Sequence, residues 1–104
     1  MRVELSNEAE RDVLRIDEWW RAERDDSPDL FETELSVTIK RIELSPRLGT
    51  VYEQNEVEET VHRMLMPRTR HHLYYVVLSD VVFVLSVWGA MKERGPMLVQ
   101  PRIR

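Results

Sequence analysis

Arg63, His72 and Tyr74 set a cation, an imidazole and a phenol among aliphatic residues in two neighbouring β-rich runs. If the Pro67–Arg70 turn closes a hairpin that pairs Met66 with His71, Arg63 lies opposite Tyr74 and Leu65 opposite His72. Alternation then gathers Val61, Arg63, Leu65, His72, Tyr74 and Val76 on one face, a polar and aliphatic mixture that reads as a binding groove. Arg68, Arg70, Lys92 and Arg94 add positive charge around it, and Trp88, just before Gly89, either closes the core or stands exposed as an anchor for a partner. A salt bridge to an acidic helix residue is an equally good use of Arg63, and Arg68 and Arg70 also suit solvated loop positions. Adjacent His71 and His72 point to opposite faces of a strand and cannot share a metal. The chain has no cysteine, no glycine-rich phosphate loop and no spacing that supports a Ser-His-Asp arrangement, so no cofactor or metal is expected.

The elements that must position these groups centre on Thr60–Ala90. Val61–Met66, His72–Leu78 and Val81–Trp88 are strand-like runs separated by turn-forming Pro67–Arg70 and Ser79–Asp80, which predicts an antiparallel three-stranded meander. Met64, Met66, Leu73, Tyr75 and Val77, with His62 and His71 near the ends, form its more apolar face. Two amphipathic helices must cover that face. Ser6 or Asn7 caps the first, whose Ala9, Val13, Ile16 and Trp20 form one stripe. Ser27 and Pro28 are expected to start the second, whose stripe is Phe31, Leu35, Thr38 and Ile42 and whose end precedes Pro46. Arg2–Leu5 reads as a further short strand, 46–59 as a surface connection anchored by Val51 and Tyr52, and 97–104 as a strand-like arm or frayed tail.

At 104 residues the chain fits one domain. Its charge is divided: residues 1–59 carry 17 acids and 8 bases, net −9, whereas residues 60–104 carry 2 acids and 7 bases, net +5. An acidic partner would be drawn to the second half. The longest apolar run is about half of a membrane span, and charges occupy the place of a signal-peptide core, so a soluble cytoplasmic protein with no membrane partner is expected.

Taken together, these residues resemble the RelE/ParE toxin superfamily of type II toxin-antitoxin systems, most closely its ParE-like, plasmid-stabilisation branch. The resemblance runs from residue 3 to about 98. It rests on Leu5-Ser6 with Ala9 and Asp12, Ile16 with Trp19-Trp20, Pro28 with Phe31 and Leu35, Ser45-Pro46 with Gly49, Val61–Leu65, Arg68–Val77, Val87–Gly89 and Arg94–Pro96. It implies an α+β domain over 1–98 in which an N-terminal strand and an α-helical hairpin pack on an antiparallel three- to four-stranded sheet, with 99–104 as a tail. It also implies a toxin neutralised by a cognate antitoxin whose acidic or amphipathic C-terminal segment folds onto its apolar and basic surfaces, drawn to Arg63, Arg68, Arg70, Lys92 and Arg94; with Leu65, His72, Tyr74 and Trp88 of the groove, these are the residues expected to meet the target or the antitoxin.

Two activities divide the superfamily. ParE-like members bind DNA gyrase, and such a toxin alone need not bind DNA. RelE-like members cleave messenger RNA on the ribosome, and their basic and tyrosine positions fall by spacing on Arg63, Leu65, His72, Lys92 and Leu98. Two of these are aliphatic, so a nuclease would have to rely on Arg63, His72, Tyr74 and Lys92. The acidic net charge also suits a ribosome-bound nuclease poorly, which favours the gyrase-binding toxin. A third possibility is a module that binds an antitoxin but is no longer toxic.

Overall fold

Ser6 ends the first strand and begins the first helix in one step. Its hydroxyl accepts from the Ala9 N–H at 3.0 Å, the bond of a helix N-cap, and donates to the Leu85 carbonyl at 3.2 Å. The computed structural model of the protein describes residues 1–92 and 94–101. Within it β1 (Arg2–Leu5) is followed by α1 (Asn7–Glu23), α2 (Leu30–Leu44), β2 (Thr50–Val51), β3 (Val61–Met66), β4 (His71–Val77) and β5 (Val81–Gly89). The order β-α-α followed by the β3–β5 meander is the predicted α+β arrangement.

The sheet differs from the expectation in two details. It has five strands in the order β1-β5-β4-β3-β2, and it is mixed, because β1 runs parallel to β5. The extra strand, β2, is two residues of the 46–59 connection laid antiparallel to His62 and Arg63. Gly49 makes that approach possible: a Cβ there would lie 2.6 Å from the Tyr75 hydroxyl and 2.7 Å from the Arg63 carbonyl oxygen. In its place the Gly49 N–H donates to that hydroxyl at 3.0 Å.

α2 also starts later than expected. The Leu30 N–H closes a tight turn on the Ser27 carbonyl, Thr33 makes the first full helical bond to Asp29, and no side chain caps the helix. Ser27-Pro28 is therefore the turn that leads into α2.

The β3–β4 register is the one read from the hairpin, with Met66 opposite His71, Leu65 opposite His72 and Arg63 opposite Tyr74. Met64, Met66, Leu73 and Tyr75 consequently meet Ala9, Ile16, Trp20, Phe31, Leu35 and Ile42 in the core between sheet and helices. Fully burying an aliphatic side chain contributes about 1.5–3 kcal/mol, so this layer is a major source of the driving force for the fold.

A second core lies on the other face, where an open groove was expected. Tyr52, Val61, Tyr74, Val76, Leu85 and Leu98 pack together there, with Val57, Phe83 and Trp88 at the margin. The chain after β5 returns across this face: the Glu56 N–H donates to the Leu98 carbonyl at 3.1 Å, and the Glu58 N–H to the Gln100 side chain at 2.8 Å. The expected tail is thus attached at Leu98–Gln100. Its last part, 102–104, and Glu93 lie outside the described residues.

Candidate functional site

β5 brings the site together through an irregularity. Tyr74 pairs with Ser86 but Tyr75 with Val84, so Leu85 is an extra residue in β5. Before it, Val82 and Val84 face the helices. After it, Val87 takes over that role and Trp88 passes to the outer face. With strict alternation Trp88 would point into the helix layer. The bulge instead completes a row across the outer face, Leu65–His72–Trp88, each residue paired in register with the next.

Asp12 supports the bulge from α1. Beyond Leu5 the β5 edge has lost its β1 neighbour, and one Asp12 carboxylate oxygen accepts from Ser86 Oγ at 3.0 Å and from the Val87 N–H at 3.1 Å. A free backbone donor is thereby satisfied without a strand.

Cations flank the row. Lys92 Nζ stands 4.5 Å over the Trp88 ring, whose indole N–H donates to the Arg94 carbonyl at 2.8 Å. Trp88 therefore both borders the outer core and presents an edge to solvent. One row further along, the Arg63 guanidinium lies 5.5 Å over the Tyr52 ring and beside the Tyr74 hydroxyl. Arg41 from α2 joins Arg63, Leu65 and His72 around a shallow depression of about 380 Å³ at the outer edge of β3. Strand alternation gives no hint of Arg41, because it enters from the other layer.

Arg68 and Arg70 sit on the β3–β4 turn, which is tied down from below. Glu34, 8% exposed on α2, accepts from the Arg68 N–H at 2.8 Å, the Thr69 N–H at 2.8 Å and Thr69 Oγ1 at 2.7 Å. Arg70 itself has φ 63°, a conformation that costs a non-glycine residue about 1 kcal/mol. Its carbonyl accepts from Ala90, which holds the turn against the end of β5. Arg68, Arg70, His72, Trp88 and Lys92 thus belong to one end of the sheet.

Tyr74 does not join them at the surface. It is 1% exposed with Tyr52 packed edge-on at 4.8 Å, and burial raises its phenol pKa above the ordinary value, partly offset by Arg63. Leu65 is 47% exposed. The pKa of His72 is lowered by burial and then by Arg63, which favours the neutral ring. His71 lies on the opposite face, edge-on to Phe31 at 5.4 Å, so the two histidines are separated as expected. Among the described residues no group of three potential metal ligands is assembled.

The electrostatics of the site are one-sided. None of the five ion pairs among the described residues involves a residue beyond Glu32. The positive charge of the sheet and its turns is therefore not cancelled by salt bridges to the acidic helices, and Arg63 rests on an aromatic ring instead.

The architecture these elements define is an α+β domain in which a parallel N-terminal edge strand and a helical pair complete a three-stranded meander. Among solved structures, the chromosomal ParDE TA system from P. aeruginosa has a chain of this fold. The match has a TM-score of 0.65 over 86% of this chain and 95% of that one, at 14% sequence identity. No protein-family model matches the sequence, and no curated protein matches it. The arrangement is consistent with a RelE/ParE-like fold. Among the described residues no helix is long and apolar enough to cross a membrane.

Proposed function

We propose that the chain is the toxin of a toxin-antitoxin module, held inactive in the cytoplasm by a cognate antitoxin and acting by binding DNA gyrase. The likeness in fold to a chain of a ParDE system supports the toxin reading. The observation that carries the preference for binding over RNA cleavage is what stands at the positions a nuclease would use. Tyr74 is buried with its phenol pKa raised, Leu65 is aliphatic, and Leu98 is buried in the outer core. A nuclease needs a group positioned to take the 2′-hydroxyl proton and another to protonate the leaving oxygen. Among the described residues His72 is the one titratable ring on the open part of this face, and the cations around it suit anion binding.

The antitoxin would be an acidic or amphipathic segment laid along Leu65, His72 and Trp88, with carboxylates toward Arg63, Arg68, Arg70, Lys92 and Arg94. Cations that form no ion pair among the described residues, on a partly apolar surface, favour such a ligand by steering and by contact. Purified protein should inhibit supercoiling by gyrase, and equimolar antitoxin should reverse the inhibition. Arg63→Ala and Lys92→Ala should weaken it while unfolding stays cooperative. Failure to inhibit gyrase together with cleavage of messages in a translating extract would make the protein a nuclease. Absence of both activities would leave a module that binds an antitoxin without being toxic.

A further inference from the structure

β1 forms one border of the sheet, and its outward backbone groups are set by its pairing with β5. The Ser6 N–H donates to the Val84 carbonyl at 2.9 Å, continuing a parallel ladder in which Val3 pairs with Val82 and Glu4 with Phe83. Backbone groups alternate sides along a strand, so Arg2, Glu4 and Ser6 address β5 while Val3 and Leu5 turn their N–H and C=O groups outward. Among the described residues no strand lies beyond them.

Natural edges are often blunted by charges that repel a second copy. The charges on β1 have the opposite effect. Arg2 and Glu4 are two residues apart, lie on the same face, and are close enough to pair with each other at 3.0 Å, with both side chains exposed. An antiparallel copy centred on Val3 would place Arg2 opposite the copy's Glu4, and Glu4 opposite its Arg2. It would also make Val3 opposite Val3 a hydrogen-bonded pair, which the outward direction of the Val3 N–H and C=O requires. Register by charge and register by hydrogen bonding coincide.

We propose that β1 pairs with β1 of a second copy of this chain, forming a symmetric dimer with one continuous sheet and its two-fold axis at Val3. The axis is perpendicular to the sheet, so both helix layers lie on the same side. The Glu43 carbonyl, 2.8 Å from the Met1 nitrogen, brings the end of α2 beside β1, and Leu44, the next residue, is 83% exposed there. The Leu65–His72–Trp88 row is on other strands, so the dimer would leave each copy's candidate site open. The inference goes beyond the proposed toxin activity and does not depend on it.

Sedimentation velocity over a wide concentration range tests the pairing. A monomer–dimer equilibrium is expected, salt-sensitive because the charge pairs are exposed. Val3→Pro removes an outward N–H and spares the ladder to β5, although it also gives up part of the Val3 packing on the helix-side core, so it should weaken dimerisation about tenfold or more at the cost of a somewhat lower but still cooperative thermal transition. Arg2→Glu and Glu4→Arg should each abolish the dimer, and the double exchange should restore it. A monomer at every concentration overturns the proposal. A dimer indifferent to all four variants also overturns it, and so does assembly into open chains sensitive to Leu65, which would mean that unlike edges meet.

Discussion

Glu34 has a structural task that its position on a helix would not suggest, and replacing it should be costly in a predictable order. Its carboxylate accepts three hydrogen bonds from the β3–β4 turn, at 2.7–2.8 Å. Thr69 is 5% exposed, so both of its donors would lose their partner in Glu34→Ala, while the Arg68 N–H is partly buried and better able to reach water. A buried donor left unpaired costs about 1–3 kcal/mol, and the desolvation cost of the carboxylate is recovered, so the net loss should be about 2–4 kcal/mol. Glu34→Gln keeps one acceptor but turns an NH2 group toward a donor, and should lose about 1–2 kcal/mol. Urea unfolding would place the Ala variant's midpoint about 1–2 M below that of the parent with an unchanged slope. Thr69→Val should cost clearly less in the Glu34→Ala background than alone, since the pair shares one network. An Ala variant within about 0.5 kcal/mol of the parent would refute this account of the turn.

Other consequences concern neighbouring parts of the same framework. The pKa values of His62, His71 and His72 are all lowered, chiefly by burial, so the unfolded chain binds protons more readily than the folded one. Stability should be full above the ordinary imidazole value of about 6.5 and fall as pH drops from there toward the lowered folded values, and His71→Gln should flatten that fall in a pH series of thermal melts. Gly49→Ala should destabilise by about 1–3 kcal/mol, measured by chemical unfolding, because its Cβ meets backbone as well as the Tyr75 hydroxyl. Arg70→Gly should be neutral or slightly stabilising and Arg70→Val harmful by about 1–2 kcal/mol, because only glycine takes φ 63° freely. Leu98→Asp should open the outer core, seen as faster hydrogen exchange at Val61, Tyr74 and Val76, with the helix-side core still protected.

The helix-side half of this structure is legible in the sequence because period decides it. A 3.6-residue stripe on each helix and a two-residue alternation on β3 and β4 fix which side chains meet, and the Pro67–Arg70 turn fixes register. The outer half escapes the same reasoning for identifiable reasons. Tyr52 and Leu98 come from irregular segments with no period: Tyr52 is the anchor expected of the 46–59 connection, whereas Val51 is exposed, but nothing local announces that Tyr52 and Leu98 close over Val61 and Tyr74. The bulge at Leu85 leaves a trace, since Val82 and Val84 are followed by Val87 and not by an apolar residue at 86, but the break is clear only when Val87 is seen beside the helices. Asp12 and Glu34 look like ordinary exposed acids on helix wheels. Their work is to satisfy backbone donors of distant strands and turns, which depends on tertiary placement alone. The cationic residues were visible as a composition shift, and their freedom from the acidic helices required the side chains in place.

The central reading is a toxin that binds gyrase through the cationic, partly apolar outer face, and inducible expression of the chain without an antitoxin tests it most directly. DNA and protein synthesis would be followed separately by precursor incorporation in the first minutes. The account predicts that DNA synthesis stops first, that a damage response follows, and that Arg63→Ala blunts both. Arrest of protein synthesis first, with cleaved messages, would contradict it and turn attention to His72.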